Sequence, residues 1–223
     1  GQLADDLFRR DFTINAMAVS LNARDFGAIR DDFDGRYDLE KGFVRIMHYR
    51  SFIDDPTRIL RAVRYEKRFN FRCEQRTLAA LKVACQEDVF RVITPVRYFH
   101  EFRRILEEAD PAGPLRRLRS LDGMRFFSFG KTEEKLLDKI VKFQATTISS
   151  SGAAEDVWIP RCAGLLSFLE RARAEELMTR FSLTRHDKKK ISQFLHFLSV
   201  PDIFSRLRSR RKLWIDTSER GAV

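Results

Sequence analysis

Cysteine and histidine are scarce in this chain. Cys73, Cys85 and Cys162 are an odd set with no close pairing, which suits neither zinc ligands nor a redox motif. Buried free thiols are the expectation. His48, His100, His186 and His196 form no ligand pattern, so no metal site is assigned. Long apolar runs are also missing. No run approaches the ~20 residues of a membrane span, and the first residues do not read as a signal peptide. A cytoplasmic chain with no membrane partner is expected. Acidic excess is absent as well: 42 lysines and arginines face 32 acids, a net charge of +10. That balance favours a polyanionic partner, most simply nucleic acid, with a basic protein of no nucleic-acid role as the alternative.

What is present suits a globular protein. The 223 residues, 43% of them apolar, suffice for one large or two modest domains with a hydrophobic core. The first ~45 residues read as mixed. "TINAMA" starts a short helix with Thr13 as N-cap. "MAVSL" and "FGAIRDDF" are strand-like runs joined by a turn at "NARD". "DGRYDLEKG" reads as loop, and "FVRIM" as strand. Beyond Asp55 nearly everything reads as helix. Pro56 takes the first helical position after a capping carboxylate, and Ile59, Leu60, Ala62, Val63 and Phe69 form the buried face. "EQRTLAALKVACQEDVF" and "VRYFHEFRRILEEAD" are amphipathic. Pro111, Gly113 and Pro114 punctuate a boundary. "TEEKLLDKIVKF", "PRCAGLLSFLERARAEELMTRFS" and "RHDKKKISQFLHFL" continue as helix before a basic tail, "FSRLRSRRKLW". "QATTISSSGAAED" is polar and small, hence loop or linker. Most of the 20 phenylalanines fall beside Leu and Ile at helical spacing and belong to the core.

Two stretches could carry chemistry. In "RRDFTINAMA", a carboxylate beside guanidinium groups can accept from a ribose hydroxyl while arginine meets phosphate. A helix cap with local ion pairs explains the same residues. In "IDDPTRILRAVRYEKRF", Asp55 and Arg58 are helical neighbours offering acceptors beside a rigid fork of donors. That pair can imitate a Watson–Crick partner, although an intrahelical ion pair would also account for it. The runs "PLRRLRSL", "RHDKKK" and "RLRSRRK" suit either phosphate tracking or a solvated helix face.

In series, "RRDFTINAMA", "DDFDGRYDLEKGFVRI", "DDPTRILRAVRY" and "TPVRYFHEF" resemble the bacterial class II tRNA nucleotidyltransferase and poly(A) polymerase family. The resemblance spans roughly residues 6–108. It implies a mainly α fold: a small α+β remnant of a polymerase-beta-like nucleotidyltransferase head over residues 1–48, a nucleotide-recognising helical neck over 49–110, and a helical RNA-binding body over 111–223. The implied activity is template-independent addition of C, A or both to the tRNA 3′ end from CTP and ATP. Poly(A) synthesis and a non-catalytic RNA-binding module are the alternatives; "NAMAV" lacks the bulkier residues of the poly(A) branch.

By position, the resemblance assigns Arg10, Asp11 and Asn15 to the ribose. Asp31, Gly35 and Asp38 fall to the head–neck hinge, and Asp55 and Arg58 to base recognition. Arg61 and Arg64 go to site support and phosphates, and Arg97 and Glu101 to bracing the base-reading helix. Three departures stand out. The family's hinge usually carries a proline and a glycine where this chain has Asp32 and Asp34. Asp54 stands where glutamate is usual. The family's Gly-Ser and Asp-x-Asp elements, which bind Mg²⁺ and the triphosphate, lie upstream of "RRDFTINA", so no catalytic metal ligand is assigned here. They are expected in preceding residues or domains of the same polypeptide.

Overall fold

The structure is a computed structural model that describes residues 2–127 and 157–199. Mixed structure comes first and helices follow. Helix α1 (Leu3–Phe8) leads into a single 3₁₀ turn, Thr13–Asn15. Strands β1 (Ala18–Val19) and β2 (Ile29–Arg30) pair antiparallel across the "NARD" turn, as the alternation predicts. Helix α2 (Gly35–Lys41) and strand β3 (Phe43–Val44) complete the mixed region. Helices α3 (Ser51–Asp54) and α4 (Thr57–Arg68) carry the chain to β4 (Arg72–Cys73), which returns parallel to β3. The remainder is helical: α5 (Gln75–Gln86), α6 (Pro95–Leu106), α7 (Ala112–Arg119), α8 (Trp158–Leu166), α9 (Arg171–Arg180) and α10 (Arg185–Ser199).

Several local expectations need correction. "DGRYDLEKG" is a helix rather than a loop, because Asp31 supplies its cap from outside the segment: its carboxylate accepts from the backbone N–H of Gly35 (2.8 Å) and Arg36 (2.9 Å). Asp34 just before it has φ of 58°, a left-handed value that glycine adopts freely and aspartate tolerates. Thr13 is not a cap; its hydroxyl donates to Asp38 Oδ2 at 2.6 Å instead. Pro56 occupies the cap position and α4 begins one residue later. Phe69 lies just past α4 and is 47% exposed, so it leaves the buried face that Ile59, Leu60, Ala62 and Val63 form. "PRCAGLLSFLERARAEELMTRFS" divides into α8 and α9. Pro111, Gly113 and Pro114 open α7, which packs on α4. "TEEKLLDKIVKF", "QATTISSSGAAED" and the basic tail lie outside the described residues.

One buried cluster runs from Phe12 through α4, α5 and α6 to Ile191 of α10. Aromatic rings dominate its middle. Phe99 stacks on Phe181 at 4.6 Å, and Phe102 meets Phe127 at 4.8 Å; Phe12, Phe52, Phe90 and Phe126 are buried with them, whereas Phe8, Phe26, Phe69 and Phe168 are exposed rather than core. All three cysteines are free, and Cys73 and Cys162 are buried. Burial pushes the Cys162 thiol up to about 12, which makes it inert at neutral pH.

Candidate functional site

The sequence-assigned residues gather mostly where the mixed region meets α4 and α6. Asp11 and its neighbour Arg10 lie in the bend between α1 and the 3₁₀ turn, and their side chains take different partners. Asp11 turns inward and is 7% exposed. Its Oδ1 accepts from Asn15 Nδ2 at 2.9 Å and its Oδ2 from Arg61 Nε at 2.5 Å. Arg10 turns outward and, among the described residues, pairs only with Asp6 at 2.9 Å; the structure keeps it out of this cluster.

Arg61 projects from the first half of α4 between two acids. Its second partner is Glu101 Oε1 of α6 at 3.6 Å. Burial disfavours the Arg61 charge, but its hydrogen bond to the Asp11 carboxylate and the nearby charges of Asp11 and Glu101 together more than offset this, so its guanidinium is held charged. Tyr65, one turn on, joins the group: its hydroxyl lies 3.4 Å from both Asn15 Nδ2 and Arg61 Nη2.

Asp55 and Arg58 flank the start of α4. Asp55 Oδ1 accepts from the Thr57 backbone N–H (3.0 Å) and hydroxyl (2.6 Å), which satisfies the first backbone donor of α4. The same oxygen accepts from Arg97 Nη2 of α6 at 3.0 Å. Asp55 Oδ2 takes no hydrogen bond among the described residues. Arg58 donates from Nη1 to Ser51 Oγ at 2.6 Å and from Nη2 to the Arg9 carbonyl at 3.2 Å, leaving three N–H donors free of those bonds. Both side chains keep access to solvent. Arg97 and Glu101 are one turn apart on α6, and together they grip the start of α4 from one side. Asp54 stands outside, near His48 (3.9 Å) and Arg50 (3.6 Å). Arg64, further along α4, turns away to Glu108 at 3.5 Å.

The hinge residues form a second, buried knot. Asp38 is fully buried and accepts from Thr13, from Arg45 Nε at 2.7 Å and from Arg45 Nη2 at 2.8 Å. Arg45 Nη1 also reaches Glu74 Oε1 of the α5 cap at 3.8 Å. Gly35 abuts the 3₁₀ turn so closely that a Cβ there would sit 2.4 Å from the Thr13 carbonyl oxygen. Helix α2 is thereby locked to the turn that carries Asn15. The assignments from sequence missed Arg45, Tyr65 and Ser51. A usable signal existed for Arg45: it interrupts "FVRIM" between two buried residues, Val44 and Ile46, and so faces the other way along the strand.

Asp31 carries a pH consequence. Partial burial works against its charge, but the backbone N–H groups of Arg36, Gly35 and Phe33 outweigh it and hold the carboxyl below its ordinary 3.8. A lowered folded-state value means stabilisation that is complete above the unfolded value and lost as pH falls through the folded one. Circular-dichroism melts should show a fall in midpoint below about pH 4 that is shallower in Asp31→Asn.

Among the described residues no three His, Cys, Asp or Glu side chains converge to hold a metal ion. No helix among them is long and apolar enough to cross a membrane.

Comparison with known proteins follows the same lines. Residues 1–45 match the poly A polymerase head domain model. An A-adding tRNA nucleotidyltransferase from Halalkalibacterium halodurans is 41% identical over 171 residues, 70% of this chain and 39% of the relative. A solved CCA-adding enzyme with ATP aligns at TM-score 0.70 and 37% identity over 84% of this chain and 45% of that one. A tRNA nucleotidyltransferase complexed with a primer tRNA and an incoming ATP analogue aligns at TM-score 0.79 and 25% identity over 99% of this chain and 74% of that one. The chain spans well under half the length of the curated relatives it matches. With the head-domain match at its start and these likenesses through its helices, the chain belongs to the bacterial tRNA nucleotidyltransferase and poly(A) polymerase family.

Proposed function

We propose that this chain is the nucleotide-selecting and RNA-binding part of an enzyme that adds A, C or both to the 3′ end of tRNA without a nucleic-acid template. The observation that carries it is the free acceptor of Asp55 beside the unspent donors of Arg58, on a helix tied to Asp11 and Asn15 through Arg61. Adenine and cytosine each present an exocyclic amine next to a ring-nitrogen acceptor on the Watson–Crick edge. Asp55 Oδ2 accepts from the amine and Arg58 donates to the ring nitrogen. Guanine and uracil present the opposite order, an oxygen acceptor beside an N–H, and meet like against like. Asp11 and Asn15 stand where a ribose hydroxyl would be read, and Arg61 fixes the Asp11 carboxylate. Mg²⁺, when bound by carboxylates elsewhere in the polypeptide, activates the primer hydroxyl and neutralises the triphosphate. The chain's own residues select and orient the nucleotide.

Relatives named A-adding favour A addition. The complete protein, given labelled ATP or CTP with tRNA ending at the discriminator base, at C or at CC, is expected to incorporate AMP on the CC end. Incorporation into none of the three would refute this reading. Incorporation of AMP into RNA of any sequence would transfer it to poly(A) synthesis.

A further inference from the structure

Beyond the base-reading residues, an open groove of about 810 Å³ lies between the later turns of α4 and α6 and the start of α7. Arg64, Lys67 and Arg68 line it from α4, and Arg103 and Arg104 from α6. The carboxylates along it are already engaged. Glu108 pairs with Arg64 at 3.5 Å and with Arg68 at 3.4 Å. Glu107 accepts from Arg103 at 2.7 Å, and Asp110 caps Ala112 at 3.0 Å. Lys67 and Arg104 are exposed and have no hydrogen bond or ion pair among the described residues. The groove therefore holds two cations that no hydrogen bond or ion pair engages among the described residues.

The groove is also built into the fold. Its wall is the turn after α6, and Arg161 of α8, 3% exposed, pins that turn by donating to the carbonyls of Leu106 and Glu108. Arg64 is 7% exposed, and its Nε is buried without a hydrogen-bond partner among the described residues. Lys67 follows Arg58 by nine residues, which places it about 13 Å further along α4 at 1.5 Å per residue. The groove is thus a separate locus from the base-reading end of the same helix.

We propose that this groove holds phosphodiester oxygens of the RNA strand whose 3′ end is being extended, with Lys67 and Arg104 as its phosphate contacts. The proposal rests on the RNA-binding reading above. An open channel with flexible cations on two helices suits a chain of phosphates lying along it, read as charge and not as sequence. Inorganic pyrophosphate carries the same oxygens, so the test separates the two.

In the complete protein, Lys67→Ala/Arg104→Ala is compared with wild type for binding an acceptor-stem RNA minihelix ending in CC, from 50 to 200 mM KCl. Each lost phosphate contact removes roughly 0.9 from the slope of log affinity against log salt. Wild type should therefore lose ~12-fold more affinity across that range than the double variant does. Lys82→Ala, an exposed lysine of α5 outside the groove, should keep the wild-type slope. Pyrophosphate affinity should be the same in all three. An unchanged slope in the double variant overturns the groove as an RNA track, and so does a loss confined to pyrophosphate. Wild-type protein that binds no RNA overturns both this and the broader reading. Normal nucleotide incorporation with an unchanged slope overturns the groove alone.

Discussion

Asp55→Asn is expected to lower the ratio of kcat/KM for ATP over GTP by roughly 5- to 150-fold, the equivalent of about 1–3 kcal/mol for one base-edge contact. The amide oxygen of asparagine can accept the same bonds as Asp55 Oδ1, so the Thr57 N–H at the start of α4 stays satisfied. The change falls on Asp55 Oδ2, where an acceptor for the base amine can be replaced by a donor. The lost ion pair to Arg97 involves an Arg97 side chain that is 58% exposed and is worth at most about 1 kcal/mol. Arg58→Ala should relax the same choice from the other side. Steady-state kinetics with all four nucleotides, run beside tRNA affinity, provide the check. If discrimination persists and tRNA affinity falls instead, these two residues serve RNA docking, and the base-reading assignment is wrong.

Arg45→Ala is expected to be the more damaging change for stability. It strands the Asp38 carboxylate, which is fully buried, with Thr13 as its remaining hydrogen-bond donor. Breaking a fully buried ion pair costs about 3–5 kcal/mol. Because the Arg45 side chain is 34% exposed, about 2–3 kcal/mol is the expected loss here. In a protein of this size that lowers Tm by about 4–12 °C. Adding Asp38→Asn should restore part of it, because the uncompensated charge is then gone. A single variant that melts like wild type, or a double variant less stable than the single, would show that the pair does not hold α2 in place.

These two sites differ in how they could be found. Asp55 and Arg58 were legible because both lie in one short run that marks the start of α4, although Asp55 itself stays outside the helix in extended chain and the pair does not share a helical face. The amphipathic faces of α5 and α6 were legible for the same local reason. Helix α2 was not. Its seven residues open with glycine and carry little helical pattern, and the cap comes from Asp31, outside the segment. Phe69 fitted the periodicity of α4, yet the helix ends one residue earlier and the ring falls outside the core.

Sequence alone determined the helical character, the cationic surplus, the free thiols and the order of the polar runs, since each depends on composition or on neighbours within a few residues. Only the tertiary structure decided which charges are spent. Asp11 and Arg61 are 50 residues apart in sequence and 2.5 Å apart in space. Asp38 is joined by Arg45 and Thr13, while Glu108 takes Arg64 and Arg68 and leaves Lys67 and Arg104 open. A charge has the same letter whether it is buried in a pair or free to meet a ligand. Burial and distance separate the two, and both come from packing between segments distant in sequence.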